Sequence, residues 1–356
     1  MSGLDLHVLV PGPLEQRTGG YIYDARIVAE LRGLGWGVVV HNLVGTFPDA
    51  DAQARTSMTS TLAAIPDGAR VVIDGLAMGG LPEPVRAARD RLRILSLVHH
   101  PLADETGLDP RRRARFVALE RDALAACAGV LVTSEFSSAR LGAFGVAPAR
   151  VRAVRPGTDP ARPAMGPGHG APPALLCVAS VTPRKGQDVL VRALARLRAL
   201  TWTCVCAGSL DRAPEYAAGV QALTHETGLA DRVRFAGECA PDGLDDLYHR
   251  ASLCVLPSYY EGYGMALADA LARGLPLVST TAGAIPHTVP ADAGLLVPPG
   301  DVASLAGALR GLLVDEVARA ARGAAARRHA TGLPGWTQAA RMFAAAVLEL
   351  TPDGDV

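Results

Sequence analysis

The chain has 356 residues, 49% of them apolar and 20% charged, with 35 basic against 35 acidic side chains. That length accommodates two hydrophobic cores, and the even charge excludes a nucleic-acid binder and strong recruitment to anionic membranes, allowing at most weak membrane association. No apolar run reaches the roughly 18 residues that a transmembrane helix needs, and Met1-Ser2-Gly3-Leu4-Asp5 lacks the basic start of a signal peptide, so a cytoplasmic chain is expected.

The pattern alternates strand and helix from the start. Leu6–Val10 reads as a strand and Gly19–Leu34 as a helix, with Ile27, Leu31 and Leu34 at helical spacing and Gly35 as its stop. Gly33, Gly35 and Gly37 follow a helix, so they mark a turn and carry no dinucleotide fingerprint. Gly19-Gly20 opens its helix after a strand and a loop; it is either an ordinary helix start or a set of N–H groups approaching a phosphate. Trp36–Asn42 is a second strand. Asp49-Ala50-Asp51 has the acid-x-acid spacing of some metal sites, but no strand feeds it, and a solvated loop is the reading here. Val71–Asp74 and Ile94–Val98 are further strands, the second ending in His99-His100-Pro101. Neighbours on a strand point to opposite faces, so at most one histidine faces a ligand there. Asp109-Pro110 caps a helix that runs to Cys127; its Arg111-Arg112-Arg113 and Arg115 read as a solvated basic face. Gly129–Thr133 is a strand.

Residues 156–173 then hold six prolines and four glycines, the composition of a linker. Beyond it the alternation restarts: strand 175–179, helix 186–199, strand 202–207, helix 214–227, strand 232–236, helix 243–250, strand 253–256, helix 264–273 and strand 276–279. Short, near-continuously apolar strands between helices predict parallel sheets covered on both faces. The expected organisation is an α/β chain of two doubly wound domains, 1–160 and 174–334, with a hinge at 161–173. Ligands bind at the carboxyl ends of the strands in such folds, here facing a cleft. The helix 335–350 is expected to pack back on the first domain. Cys177, Cys204, Cys206 and Cys254 fall in strands and Cys127 at a helix end, which reads as buried free thiols.

The most informative stretch runs from Pro257 to Asp269. The apolar strand Leu253–Leu256 stops at Ser258-Tyr259-Tyr260-Glu261-Gly262-Tyr263-Gly264, and a helix opens at Met265. Such a turn aims free backbone N–H groups at the strand's carboxyl end, which suits a diphosphate. Glu261 on the turn can accept hydrogen bonds from hydroxyls. Asp269 lies about one and a half turns into the helix, an acid among Ala268, Ala270 and Leu271. Lysine occurs once in this chain, at Lys185, in Thr182-Pro183-Arg184-Lys185-Gly186 after the strand 175–179. A compact ammonium at a strand's carboxyl end is a natural phosphate contact.

These segments resemble the retaining glycosyltransferases of family 4, strongly over residues 172–300 and generically before that. The resemblance implies the two-domain GT-B fold, two Rossmann-like domains, the first binding the acceptor and the second the nucleotide-sugar donor. It implies that Glu261 contacts the donor sugar, that backbone at Gly262, Tyr263, Gly264 and Met265 holds sugar and diphosphate, and that Asp269 binds the ribose. The family's usual acid there is glutamate. Lys185 matches the family's diphosphate lysine. Ala179-Ser180 stands where the family carries glycine and arginine, and Arg184 is a candidate replacement. His99 matches the strand-end histidine near the transferred sugar, and Gly19-Gly20 the amino-terminal glycine loop. The implied catalytic set is His99, Lys185 and Glu261.

The expected activity is therefore metal-independent transfer of a sugar from a nucleotide-diphosphate sugar, UDP-linked first and GDP-linked second, to the hydroxyl of an unidentified acceptor. Configuration is retained by a front-face route. The donor is a co-substrate and no cofactor or metal is expected. A sugar-nucleotide epimerase on the same fold, or a non-catalytic sugar-nucleotide-binding partner subunit, are the alternatives.

Overall fold

The computed structural model describes residues 4–352. The described chain divides into two compact units. One comprises the chain up to Gly157 together with the segment from Pro334 onward, and the other comprises Thr158–Leu333.

In the first unit, β1 (Asp5–Pro11), β2 (Gly37–Leu43), β3 (Arg70–Asp74), β4 (Arg93–Val98), β5 (Gly129–Val132) and β6 (Val151–Ala153) form a parallel sheet in the order β2-β1-β3-β4-β5-β6. β3, β4 and β5 have almost wholly buried faces, which is why they read as continuous apolar runs rather than alternating ones. The connection reverses direction beside β1: β2 lies on one side of it and β3 on the other. The carboxyl ends of β1 and β3 therefore border a topological switch point, the usual place for a ligand in an open α/β sheet.

In the second unit, β7 (Ala174–Val178), β8 (Thr203–Ala207), β9 (Val233–Gly237), β10 (Leu253–Leu256), β11 (Leu277–Thr280) and β12 (Gly294–Val297) pair in parallel in the order β12-β11-β10-β7-β8-β9. Its switch point lies between β7 and β10. The core around these strands includes Leu176, Leu190, Leu253, Leu267 and Leu309, with Trp202 and Tyr248 almost fully buried. The described cysteines are free, five of the six buried, Cys239 partly exposed.

Three sequence expectations need adjustment. Residues 161–173 are not free of both units but lie within the second. Ala164 N–H donates to Arg273 O (2.8 Å) and Met165 N–H to His249 O (2.8 Å), while Arg162 pairs with Asp245 (2.7 Å) and Asp246. Proline and glycine forbid helix there, but the backbone groups still find partners. Asp49 and Asp51 do lie on a loop, with Asp51 exposed, but both carboxylates are engaged rather than merely solvated. Asp51 caps the unforeseen helix Ala52–Ala64 by accepting from Ala54 N–H (2.7 Å), and Asp49 pairs with Arg112 and Arg115 (2.8 Å to the latter). The arginine run is thus partly engaged, and both of these guanidinium groups also lie over Phe116. Beyond residue 280 the sequence reading had missed β12 and the helices Val302–Val314 and Glu316–Ala330. The helix Trp336–Leu350 belongs to the first unit and packs on Gly19–Gly33.

Candidate functional site

The second unit brings the sequence-derived residues together at its switch point. β7 ends at Val178, and Ala179 N–H still bonds across to Ala207 O (2.9 Å). The chain then turns through Ser180 into a short 3-10 turn, Pro183–Lys185, before the helix Gln187–Ala195. β10 ends at Leu256 and leads into the Ser258–Gly264 turn. The two loops are joined at the backbone, with Tyr259 N–H donating to Arg184 O (2.8 Å) and Arg184 Nη1 donating to Tyr260 O (3.0 Å).

Side chains join them further. Lys185 Nζ and Ser258 Oγ both donate to Glu261 Oε1 at 2.6 Å, and Arg184 Nη1 stands 3.9 Å from Glu261 Oε2. Glu261 is buried, at 6% exposure. Burial works against its charge, but Lys185 and then Arg184 outweigh it and hold the carboxyl below its ordinary range. At Lys185 burial is the largest influence and repulsion from Arg184 adds to it, so the ammonium is lowered despite its partner. The two directions agree with one picture: a buried ion pair in which the acid gains two cations and the base only one anion.

The turn is braced from β11 and its loop. Thr280 Oγ1 donates to Ser258 O (2.6 Å), Ala284 N–H to Glu261 O (2.8 Å) and Thr288 Oγ1 to Tyr263 O (2.6 Å). Gly283 lies so close that a Cβ there would sit 2.4 Å from Glu261 O. Gly264 has φ +92° and starts the helix Met265–Ala272. The N–H groups of Met265 and Ala266 precede its first intrahelical bonds, which Leu267 and Ala268 N–H make to Gly264 O (2.9 and 3.2 Å). Asp269 stands half-buried on that helix. Ser180 O accepts from Gln187 Nε2 (3.0 Å), while the buried Gln187 Oε1 has no hydrogen-bond partner among the described residues.

The other predicted residues, Gly19, Gly20 and His99, lie in the first unit at its switch point. His99 follows β4. Its Nε2 is 3.0 Å from Oδ1 of Asp24, on the helix Gly19–Gly33, and 3.5 Å from Oδ2 of Asp74, the last residue of β3. Gly20 packs on the ring, where a Cβ would come within 2.9 Å of Cδ2, and Tyr23 meets the ring edge-on. His100 points elsewhere, to Glu105 (3.2 Å). Burial opposes charge on His99, but Asp24 and then Asp74 outweigh it and push its pKa up to about 10. Burial likewise pushes Asp24 up to about 7, against the pull of His99. The donor at this contact depends on protonation: with Asp24 ionised, Nε2–H donates, and that nitrogen then has no lone pair for a metal ion.

Asp24 and Asp74 were missed in the sequence, though both left a signal. Asp24 shares the buried stripe of Ile27, Val28 and Leu31, an acid where helical spacing demands an apolar residue. Asp74 ends an otherwise apolar strand immediately before a glycine. Glu120, equally missed, is buried on the helix Pro110–Ala125 and accepts from Leu102 N–H (2.6 Å) and Ala103 N–H (3.0 Å).

Residues 172–315 match the family model described as Glycosyl transferases group 1. The chain is 32% identical over 285 residues to the D-inositol 3-phosphate glycosyltransferase of Kribbella flavida, covering 73% of this chain and 66% of that protein. It is 34% identical over 219 residues to the enzyme of the same name from Kineococcus radiotolerans, covering 54% and 50%.

The chain belongs to the group 1 glycosyltransferases.

It spans about half to two thirds of the length of these curated relatives. Among solved structures it resembles sucrose-phosphate synthase from Thermosynechococcus elongatus, with a TM-score of 0.80 at 22% identity over 95% of this chain and 97% of that one. It also resembles Anabaena HepE, solved with UDP and glucose, with a TM-score of 0.74 at 17% identity over 96% and 98%. The fold is accordingly of the GT-B type, with two Rossmann-like units. No helix among the described residues is long and apolar enough to cross a membrane.

Proposed function

We propose that this group 1 glycosyltransferase transfers a sugar, with retention of configuration and without a metal, from a nucleotide-diphosphate sugar to an acceptor hydroxyl. The observation that carries the reading is the Lys185–Glu261–Arg184 cluster at the β7/β10 switch point, beside the helix start at Gly264. A departing nucleoside diphosphate gathers negative charge, which an ammonium, a guanidinium and free helix N–H groups stabilise. Glu261, held ionised, accepts hydrogen bonds from sugar hydroxyls and leaves Lys185 a single carboxylate contact to exchange for phosphate. Asp269 takes the ribose hydroxyls. Arg184 replaces the arginine absent at Ser180. The first unit binds the acceptor, with His99 and the Gly19-Gly20 helix start at its own switch point. The diphosphate oxygen takes the acceptor's proton, so no separate base is needed. A UDP-sugar is the first donor to test and a GDP-sugar the second. D-inositol 3-phosphate, named for the relatives, is the first acceptor to try.

The test is incubation of the purified chain with UDP- and GDP-sugars, with and without D-inositol 3-phosphate and other polyol acceptors, with and without EDTA. Acceptor-dependent release of nucleoside diphosphate, an unchanged anomeric configuration by NMR, and indifference to EDTA are expected. An epimerised donor with no release refutes transfer.

A further inference from the structure

The described cluster of Asp24, Asp74 and His99 is unusual in what it leaves over. Two carboxylates converge on one imidazole nitrogen, at 3.0 and 3.5 Å. Asp24 is 2% exposed, and its Oδ2 has no hydrogen-bond partner among the described residues. Asp74 is better served, because its Oδ1 accepts Leu76 N–H at 2.6 Å. A buried carboxylate without a cationic partner is strongly disfavoured. Among the described residues, the positive charge acting on Asp24 is the one His99 can carry. Tyr23 on the same helix is occupied by Val154 O (3.1 Å) and presents its ring edge, Gly20 presents only backbone and Cα, and His100 is turned toward Glu105.

We propose that Asp24 is a positioning residue which, with Asp74, holds His99 as a fixed imidazolium with Nε2–H directed at Asp24. His99 then acts as a hydrogen-bond donor and a fixed positive charge, and does not accept the acceptor's proton. A ring with both nitrogens protonated has no acceptor site. The geometry is set by three separate elements, the helix after β1 and the ends of β3 and β4, so the ring cannot turn without breaking a contact to one of them. Burial pushing Asp24 upward while its neighbours push His99 upward agrees with one proton held between the two, titrating as a unit. The protonation state stands on this cluster alone; its use in turnover rests on the transferase reading.

NMR titration of the His99 imidazole, assigned by loss of its signals in His99→Gln, tests the proposal without any substrate. Wild-type His99 keeps its proton to about pH 9, and in Asp24→Asn it loses it by about pH 8. In turnover, wild type shows no His99 limb between about pH 6 and 9, whereas Asp24→Asn gains a descending one, roughly tenfold lower at about pH 8.5. If Asp24→Asn does not fold, the wild-type titration and the Asp74→Asn variant decide. A wild-type His99 that titrates near 6.5, or shifts on addition of Zn²⁺ or Mn²⁺, overturns the proposal. High-pH protonation with no turnover of any donor leaves the imidazolium standing and refutes the transferase reading instead.

Discussion

Lys185 and Glu261 show how two residues 76 positions apart become one chemical group. Each is poorly suited to burial alone, and each makes the other tolerable. Lys185→Met leaves Glu261 with Ser258 and the more distant Arg184, which costs about 3–5 kcal/mol of stability and should abolish donor-dependent stabilisation by UDP in a thermal-shift assay. Lys185→Arg should restore most of the stability and little of the turnover, because a planar guanidinium does not replace a compact ammonium at a phosphate. The pH dependence has a definite sign. Glu261 has its folded pKa depressed, so its contribution is present above the unfolded value of 4.5 and is lost as pH falls through the folded one. Removing the lysine should move the acid limb of a stability–pH curve upward. Asp269 supports a separate binding prediction. Asp269→Ala should weaken UDP binding by roughly 10- to 100-fold, the loss of hydrogen bonds to a charged group, and Asp269→Glu should alter it by less. Unchanged affinity in both variants removes the ribose assignment.

At the scale of elements, the loop after β4 is fixed by charged side chains from other segments. Glu120 holds its backbone at Leu102 and Ala103, and Arg140 grips Asp104 through two bonds of 2.8 and 2.7 Å. Burial pushes Glu120 up to about 7, although the two N–H groups favour its charge. The folded chain therefore holds a proton that the unfolded chain releases above 4.5. Stability from this group is greatest below that value and declines as pH rises to about 7. At about 1.4 kcal/mol per tenfold change in proton affinity, the decline is on the order of 3 kcal/mol. Glu120→Gln should be less stable overall, since one amide oxygen cannot serve both N–H groups, and its unfolding free energy should change less than wild type's between pH 5 and 8 in urea titrations. The element reading of the sequence succeeded where apolar strands alternate with capped helices. It failed at Ala52–Ala64, whose small and polar residues give almost no periodic signal and whose start depends on the Asp51 cap.

At the scale of the whole chain, the carboxy-terminal helix completes the first unit. Trp336 meets Tyr23 edge-on, and Arg26 lies over its indole. Phe343 and Val347 are buried, and Thr351 accepts from Arg70 (3.2 Å). Gly157 packs against the Trp336 backbone so closely that a Cβ would lie 2.4 Å from its Cα. Trp336→Ala should cost about 3–5 kcal/mol and lower the unfolding temperature of the first unit. Circular dichroism melts of the variant check this; an unchanged melt contradicts the packing role.

The sequence by itself determined the alternation of strands and helices, the parallel sheets, and the donor-site candidates Lys185, Glu261 and Asp269. Those follow from local patterns: apolar runs, caps, and a glycine turn between strand and helix. It also exposed His99, because a histidine at a strand's carboxyl end is informative alone. Only the tertiary structure decided that Lys185 and Glu261 share one ion pair, that Asp24 and Asp74 hold His99, and that residues 161–173 attach to the second unit. These facts depend on which strand ends become neighbours when the sheet order reverses, and no local periodicity encodes that order. Asp24 illustrates the difference: in sequence it is an acid misplaced on an apolar stripe, and in the fold it is the partner of an imidazole 75 residues away.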